Sequence, residues 1–159
     1  MTKRISSPTR MAYGRRVIDI DTYIPYFLAA VNNALSRGGS ALYLRDFGVG
    51  IGEWRVLSML AIEPGISAAR ICDVISLDKA AVSRSLTRLE ALECLDIEVS
   101  PSDPRRRALS LNLAGFDLHD QIMAKALDRE AALIEAVDPQ DLEAFLRVMR
   151  IMRANVRNL

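Results

Sequence analysis

The sequence predicts a mainly α-helical chain with one small β-hairpin, and three observations carry that expectation. Apolar residues recur at spacings of three and four over most of the 159 positions. Residues 95–99 and 108–111 instead alternate apolar with polar, the period-two mark of paired strands. Turn and capping residues (Glu63-Pro64-Gly65, Ser67, Asp78 and Asp138-Pro139) separate the periodic runs at intervals that suit helices.

In chain order, residues 1–20 are expected to be a basic, flexible arm, with Lys3, Arg4, Arg10, Arg15 and Arg16 and no acid before Asp19. Asp21 is a candidate cap for a first helix whose Tyr23, Tyr26, Phe27, Ala30, Val31, Ala34 and Leu35 share one side. Gly38-Gly39 either ends that helix near Arg37 or forms a close-packed point in a longer one through Leu44. Two adjacent glycines inside a helix cost about 1–2 kcal/mol, so continuity needs tertiary support. Phe47-Gly48-Val49-Gly50 reads as a turn, and helical periodicity resumes with Trp54, Leu57, Leu60 and Ala61 inward.

Ser67 caps a short expected helix over 68–74, and Asp78 caps another from 79 to about 92. In the latter, Val82, Leu86 and Leu89 share one face, while Lys79, Ala80, Ser83, Arg84, Thr87 and Arg88 form the opposite one. The strands follow, joined by Ser100-Pro101-Ser102-Asp103-Pro104-Arg105-Arg106-Arg107. A long helix is expected over about 115–136, and Asp138-Pro139 starts another with Leu142, Phe145, Leu146, Met149 and Met152 on its apolar side.

Net charge is +1 and the pI about 7.8, below the pI of about 9 that marks a strongly basic nucleic-acid binder. Charge distribution says more: residues 79–88 hold three bases and no acid, whereas acids collect in 117–143. Cys72 and Cys94 are too few and too far apart for a metal site or disulfide framework, and read as small core residues of a reducing, cytoplasmic protein. His119 has no ligand cluster at metal spacing and is expected to be solvated or half-buried. No apolar run approaches the roughly 18 residues of a membrane span. No glycine-rich phosphate loop, nucleophile elbow or acid–base pair is visible, which argues against an enzyme and against a cofactor.

Two short helices joined by a turn, the second leaving small polar and basic side chains exposed, followed by a basic hairpin, match duplex DNA in shape and charge. Such a helix fits the major groove, and arginines of the hairpin tip suit the narrow, negative minor groove. The candidate DNA-binding residues are Ser67, Lys79, Ala80, Ser83, Arg84, Thr87, Arg88, Asp103, Arg105 and Arg106. Asp103 is unlike its neighbours in sign and suits a role orienting an arginine. The first and last helices carry more apolar surface than a three-helix core can bury, which points to a two-fold homodimer and hence a palindromic site. The aromatic residues Tyr23, Tyr26, Tyr43 and Trp54, with Arg37 and Arg45, are candidates for a pocket that takes a small aromatic acid or its thioester.

Phe47-Gly48 and Glu53-Trp54-Arg55-Val56-Leu57, Leu77-Asp78-Lys79-Ala80-Ala81-Val82-Ser83-Arg84, Asp103-Pro104-Arg105-Arg106, and Leu111-Asn112-Leu113-Ala114-Gly115 together resemble the MarR family of bacterial transcriptional regulators. The resemblance spans about 23–154. It implies a winged helix-turn-helix over about 48–113 within a single 21–159 domain, with dimerisation helices over about 21–46 and 114–157. It also implies a homodimer whose ligand pocket takes phenolic or aromatic carboxylate compounds. Asp103 and Arg105 match the wing motif, Ser83 and Arg84 the recognition helix. Three positions depart from the pattern: Glu93 stands where a helix-ending glycine is usual, Asn112 replaces a Thr, and Pro104 stiffens the wing tip. Neither cysteine matches that of the peroxide-sensing members. The expected function is a ligand-responsive repressor; the alternative is a winged-helix interaction or structural dimer with no operator of its own.

Overall fold

The first long helix runs unbroken through Gly38-Gly39, and the reason lies in what it packs against. In the computed structural model, which describes residues 4–100, 103–156 and 158, this helix is α1, Ile24–Phe47. The side chains of residues 100 and 103–106 lie outside the described set. Gly39 is buried. The Arg55 guanidinium of α2 (Ile51–Ile62) donates to Ser36 Oγ at 3.2 Å and to Asn32 Oδ1 at 3.5 Å. These bonds lie just ahead of the glycines, and just after them Ser40 Oγ accepts the Ile51 N–H at 3.5 Å, so α2 gives the tertiary support that their low helix propensity requires. Gly48 ends α1 in the left-handed region, φ 71°, with its N–H on the Leu44 carbonyl. Asp21 does not cap the helix: the N-cap is Tyr23, and Pro25 occupies the first turn, where a missing N–H costs nothing.

Ahead of α1 the structure replaces the expected flexible arm with a hairpin, β1 (Thr9–Ala12) and β2 (Arg15–Ile18). Tyr13 and Gly14 both have positive φ, 52° and 71°, the geometry of the two-residue turn that matches strand twist.

After α2 come α3 (Ala68–Ile75) and α4 (Lys79–Ala91), with the expected caps in place. Ser67 Oγ accepts from the Arg70 N–H, and Asp78 Oδ1 from the Ala81 N–H at 2.8 Å. Strands β3 (Leu95–Ser100) and β4 (Asp103–Leu111) pair antiparallel, Leu95 opposite Leu111 and Val99 opposite Arg107. β4 is longer than its apolar alternation suggested. Ile66 bridges Leu109 as a one-residue third strand, through Gly65 N–H to Leu109 O and Leu109 N–H to Ile66 O, each 2.9 Å. The core of this winged unit is Val56, Leu57 and Leu60 of α2, Ile71 of α3, Val82 and Leu89 of α4, and Leu109 and Leu111 of β4.

Two further helices follow, α5 (Leu113–Leu133) and α6 (Pro139–Val156). The chain divides into two compact units, one ending at His119 within α5 and one from Asp120 to Leu159. Asn112 Oδ1 caps α5 at the Gly115 N–H, and Asp138 Oδ1 caps α6 at the Gln140 N–H. Helix α6 has no buried residue, and Phe145, Val148 and Ile151 are about half exposed.

Between α4 and β3, Glu93 takes φ 56°, the conformation for which glycine is the usual choice. Its carbonyl accepts from Asn112 Nδ2 at 2.7 Å, so the asparagine that caps α5 also secures this strained corner. Gly115 is required beside it, since a Cβ there would meet the Cys94 carbonyl oxygen at 2.2 Å.

The first turn of α2 is tied to α4 through one carboxylate. Glu53 Oε2 accepts the Gly50 N–H at 2.8 Å, and Oε1 accepts from Ser85 Oγ at 2.9 Å. Ser85 is only 4 % exposed, the one buried polar side chain among the described residues. Gly52 allows the approach: a Cβ there would lie 2.8 Å from Ser85 Oγ.

Replacing Ser85 by Ala removes a donor from a half-buried carboxylate and should lower stability by about 1–3 kcal/mol, read from urea unfolding. Glu93→Gly should raise stability by about 0.5–1 kcal/mol in the same assay, because relief of left-handed strain outweighs the extra entropy of glycine in the unfolded chain.

Candidate nucleic-acid interface

Helix α4 is amphipathic in a way that fixes which side faces outward. Val82, Ser85 and Leu89 are buried at spacings of three and four. Lys79, Ala80, Ser83, Arg84, Thr87 and Arg88 are all exposed on the other side, as the periodicity required. Among the described residues neither Lys79 nor Arg84 is paired with an acid, so both charges are available to a ligand.

Arg88 differs. Its Nη2 donates to the Gly48 carbonyl at 3.3 Å and joins α4 to the turn between α1 and α2, leaving its other N–H groups exposed. Ser67 is exposed at the start of α3, where its oxygen serves as the cap and its hydroxyl hydrogen remains a donor. Arg70, one turn along, forms a bidentate pair with Glu63, Nε to Oε1 at 3.1 Å and Nη2 to Oε2 at 3.0 Å. Hydrogen bonding to Arg70 holds the Glu63 carboxyl below its ordinary range, with the charge of the guanidinium adding to it.

The wing is anchored to the same helix. Arg107 Nη2 of β4 donates to Glu90 Oε1 of α4 at 3.1 Å. The backbones of Asp103, Arg105 and Arg106 lie in β4, whereas their side chains lie outside the described residues. α4 is therefore held from α2 by Ser85, from the α1–α2 turn by Arg88, and from the wing by Arg107. Ser85 and Arg107 were absent from the expected site. A serine within an exposed-looking polar run carries no signal that it points inward.

The six expected ligand residues do not gather in one place. Tyr43 is buried and meets Trp54 edge-on, centroids 6.2 Å apart, and Trp54 stacks on His119 at 5.4 Å. His119 was not among the expected residues. Tyr23 and Tyr26 lie at the other end of the helix from Tyr43, about 25–30 Å away at 1.5 Å per residue. Arg37 is exposed, and Arg45 is paired with Asp46 at 2.6 Å. That hydrogen bond, with the charge of Asp46, raises the Arg45 pKa.

A groove of about 710 Å³ lies elsewhere, between α3, α4 and the wing, lined in part by Ala68, Leu86, Glu90, Leu95, Ile97 and Arg107. None of the six expected ligand residues lines it. Cys94 is buried, which pushes its thiol pKa up and disfavours the reactive thiolate. Among the described residues there is no cluster of three or more metal-ligating side chains, and no helix is long and apolar enough to cross a membrane.

Residues 47–106 match the model of the MarR family, a span that takes in α2, the helix pair and most of the wing. Among curated protein sequences none matches this chain. Among solved structures, the MarR/EmrR family transcriptional regulator from Acinetobacter sp. ADP1 superposes with a TM-score of 0.82 at 29% identity, over 89% of this chain and 100% of that one. The MepR–DNA complex of S. aureus superposes at 0.70 with 16% identity, over 83% of this chain and 95% of that one. CouR from Rhodococcus jostii RHA1, bound to p-coumaroyl-CoA, superposes at 0.72 with 16% identity, over 84% and 94%. The last two, at such identity, show a shared fold. The winged-helix segment thus matches the MarR family model, and the chain shares its fold with a MarR/EmrR family regulator along nearly nine tenths of its length.

Proposed function

We propose that the protein is a repressor that binds a palindromic duplex operator as a cytoplasmic homodimer and releases it when a small aromatic acid or its thioester binds. The observation that carries the DNA-binding part is the division of α4 into a packed face and an exposed face with two cations, Lys79 and Arg84, that pair with no acid among the described residues. In the major groove, Arg84 would donate two parallel hydrogen bonds to a guanine edge, with Ser83 and Thr87 reaching bases or phosphate. Lys79 at the start of the helix suits a phosphate, and the wing residues Arg105 and Arg106, with Asp103, suit the adjacent minor groove. The fold is one that a relative uses in a complex with DNA.

Dimerisation is supported by apolar surface that one copy leaves uncovered. Tyr26, Phe27 and Val31 of α1, and Phe145, Val148 and Ile151 of α6, are each 40 % or more exposed. Such density on two long helices is what a two-fold interface buries, and two copies of α4 then read two half-sites.

The effector reading rests on the ring cluster Tyr43–Trp54–His119. Trp54 is next to Glu53, whose carboxylate holds Ser85 of α4. A ligand that moves the indole therefore acts one residue away from the bond that positions the recognition helix. CouR, bound to p-coumaroyl-CoA, supports an aromatic thioester as the ligand class. A carboxylate would reach Arg37 directly, and at Arg45 it would meet the N–H groups that Asp46 leaves free.

Arg84→Ala should weaken specific operator binding by about 1–3 kcal/mol, measured by fluorescence anisotropy, and Arg105→Ala should weaken it through the wing. The Arg84 variant should melt at the parent temperature, since that side chain is exposed on α4. Operator affinity unchanged in both would remove α4 and the wing from the interface.

Titration with phenolic acids and their coenzyme A thioesters should change Trp54 fluorescence and lower operator affinity about 5–150-fold for the right compound, the usual range of coupling between sites. A fluorescence change with constant operator affinity would mean that the ligand binds both states equally and regulates nothing.

A further inference from the structure

The N-terminal hairpin has features that the winged unit and the dimer helices do not account for. An isolated two-stranded hairpin is marginal in water and needs a covering partner. Among the described residues, the hydrogen bonds that hold this one fall within its own neighbourhood: Asp19 N–H to Pro8 O, Thr22 Oγ1 to Ser7 O at 2.6 Å, and Arg4 Nη2 to Thr22 O at 2.8 Å. Met11, Tyr13, Ile18 and Ile20 around it are exposed. Residues 4–18 carry Arg4, Arg10, Arg15 and Arg16 and no acid, and all four guanidinium side chains are exposed. The register places Arg10 and Arg15 on one face of the ribbon and Arg16 with Met11 on the other.

This hairpin precedes the end of α1 opposite to the one that α4 contacts, which sets it away from the DNA that α4 would hold. It precedes α1, whose 24 residues span about 36 Å. The far end of α1 is Gly48, the residue that Arg88 of α4 contacts. The complementary charge is in the chain itself. Residues 128–143 contain Asp128, Glu130, Glu135, Asp138, Asp141 and Glu143 against the single cation Arg129, and all six acids are exposed. A +4 ribbon and a −5 stretch in one sequence are a self-complementary pair, which is what two-fold association requires.

We propose that the basic β1–β2 hairpin of one copy clasps the acidic α5–α6 turn of a second copy, so that the dimer is closed by charge as well as by apolar helix faces. The inference rests on the dimer reading above. Being between exposed charges, the clasp is sensitive to ionic strength, since the screening length falls from about 10 Å at 0.1 M salt to about 3 Å at 1 M.

Two charge-reversed full-length proteins test it. One carries Arg10→Glu, Arg15→Glu and Arg16→Glu; the other carries Glu130→Lys, Glu135→Lys and Glu143→Lys, none of which is a cap or core residue. In sedimentation at low salt each alone should dimerise at least about tenfold more weakly than the parent, because basic and acidic partners become like-charged. Mixed, the two should form the heterodimer in preference to either homodimer, and the preference should fade at 1 M salt. Heterodimers at only the statistical proportion would overturn the clasp while leaving a dimer through the helices intact. A parent that is monomeric at every salt concentration would overturn the dimer reading as well. Loss of operator affinity in the arginine variant, with its dimerisation unchanged, would assign the hairpin to DNA instead.

Discussion

The Glu53 carboxylate joins the two helices on which the winged unit depends, and few other contacts could be lost with wider effect. One oxygen completes the start of α2 at Gly50; the other takes the hydroxyl of Ser85 from the buried side of α4. A charged acceptor makes both bonds stronger than neutral ones, and partial burial removes the water that would replace them. Gly52 is small because the serine occupies the space that a side chain would fill. With that junction set, Val82 and Leu89 are buried and the opposite face of α4 must be outward. Arg88 to Gly48 and Arg107 to Glu90 then fix the two flanks of the same helix. The exposed face is a consequence of how the buried one is held.

Much of this was legible in the sequence because it is local. Ser67, Asp78 and Asp138 each satisfy backbone donors within three residues, so their type and position suffice to place three helix starts, whereas α5, capped by Asn112, begins two residues ahead of the expected 115. The apolar spacing of Val82, Leu86 and Leu89 fixes the orientation of α4 for the same reason. What the sequence concealed is non-local. Gly38-Gly39 looks like a break until Arg55 is seen bonding across from α2. Ile66 joins the wing as a single bridged residue, too short to show a period. Ser85 reads as part of a polar face although it is the polar residue that faces in. The N-terminal strands are four residues each and rich in arginine, so composition suggested an arm, and only Tyr13-Gly14 marked the turn.

The candidate site was legible unevenly for a related reason. Six of the ten residues proposed to face DNA come from one short helix, where periodicity resolves faces. The ligand set was drawn from residues that share a type but lie along a 24-residue helix, and type alone gives no distance. Tyr43 and Trp54 meet, with His119 completing the stack, whereas Tyr23 and Tyr26 stand far along α1. Glu93 shows the reverse case: the absence of a glycine flagged strain in advance, and the left-handed φ of 56° is where that strain resides. Asn112 explains how the corner is tolerated, since its amide reaches the Glu93 carbonyl while its oxygen caps α5.

The central claim is that α4 and the wing present cations to a phosphate backbone even though the whole chain is close to neutral. The salt dependence of duplex binding measures this directly, because every phosphate neutralised releases condensed counterions. Affinity for a duplex that contains the operator should fall steeply and linearly in log–log form between about 50 and 200 mM salt, with a slope near −0.9 for each phosphate contacted, and Lys79→Ala should reduce the slope by about one. A slope near zero, or one that Lys79→Ala leaves unchanged, would contradict the claim that this face of α4 meets DNA.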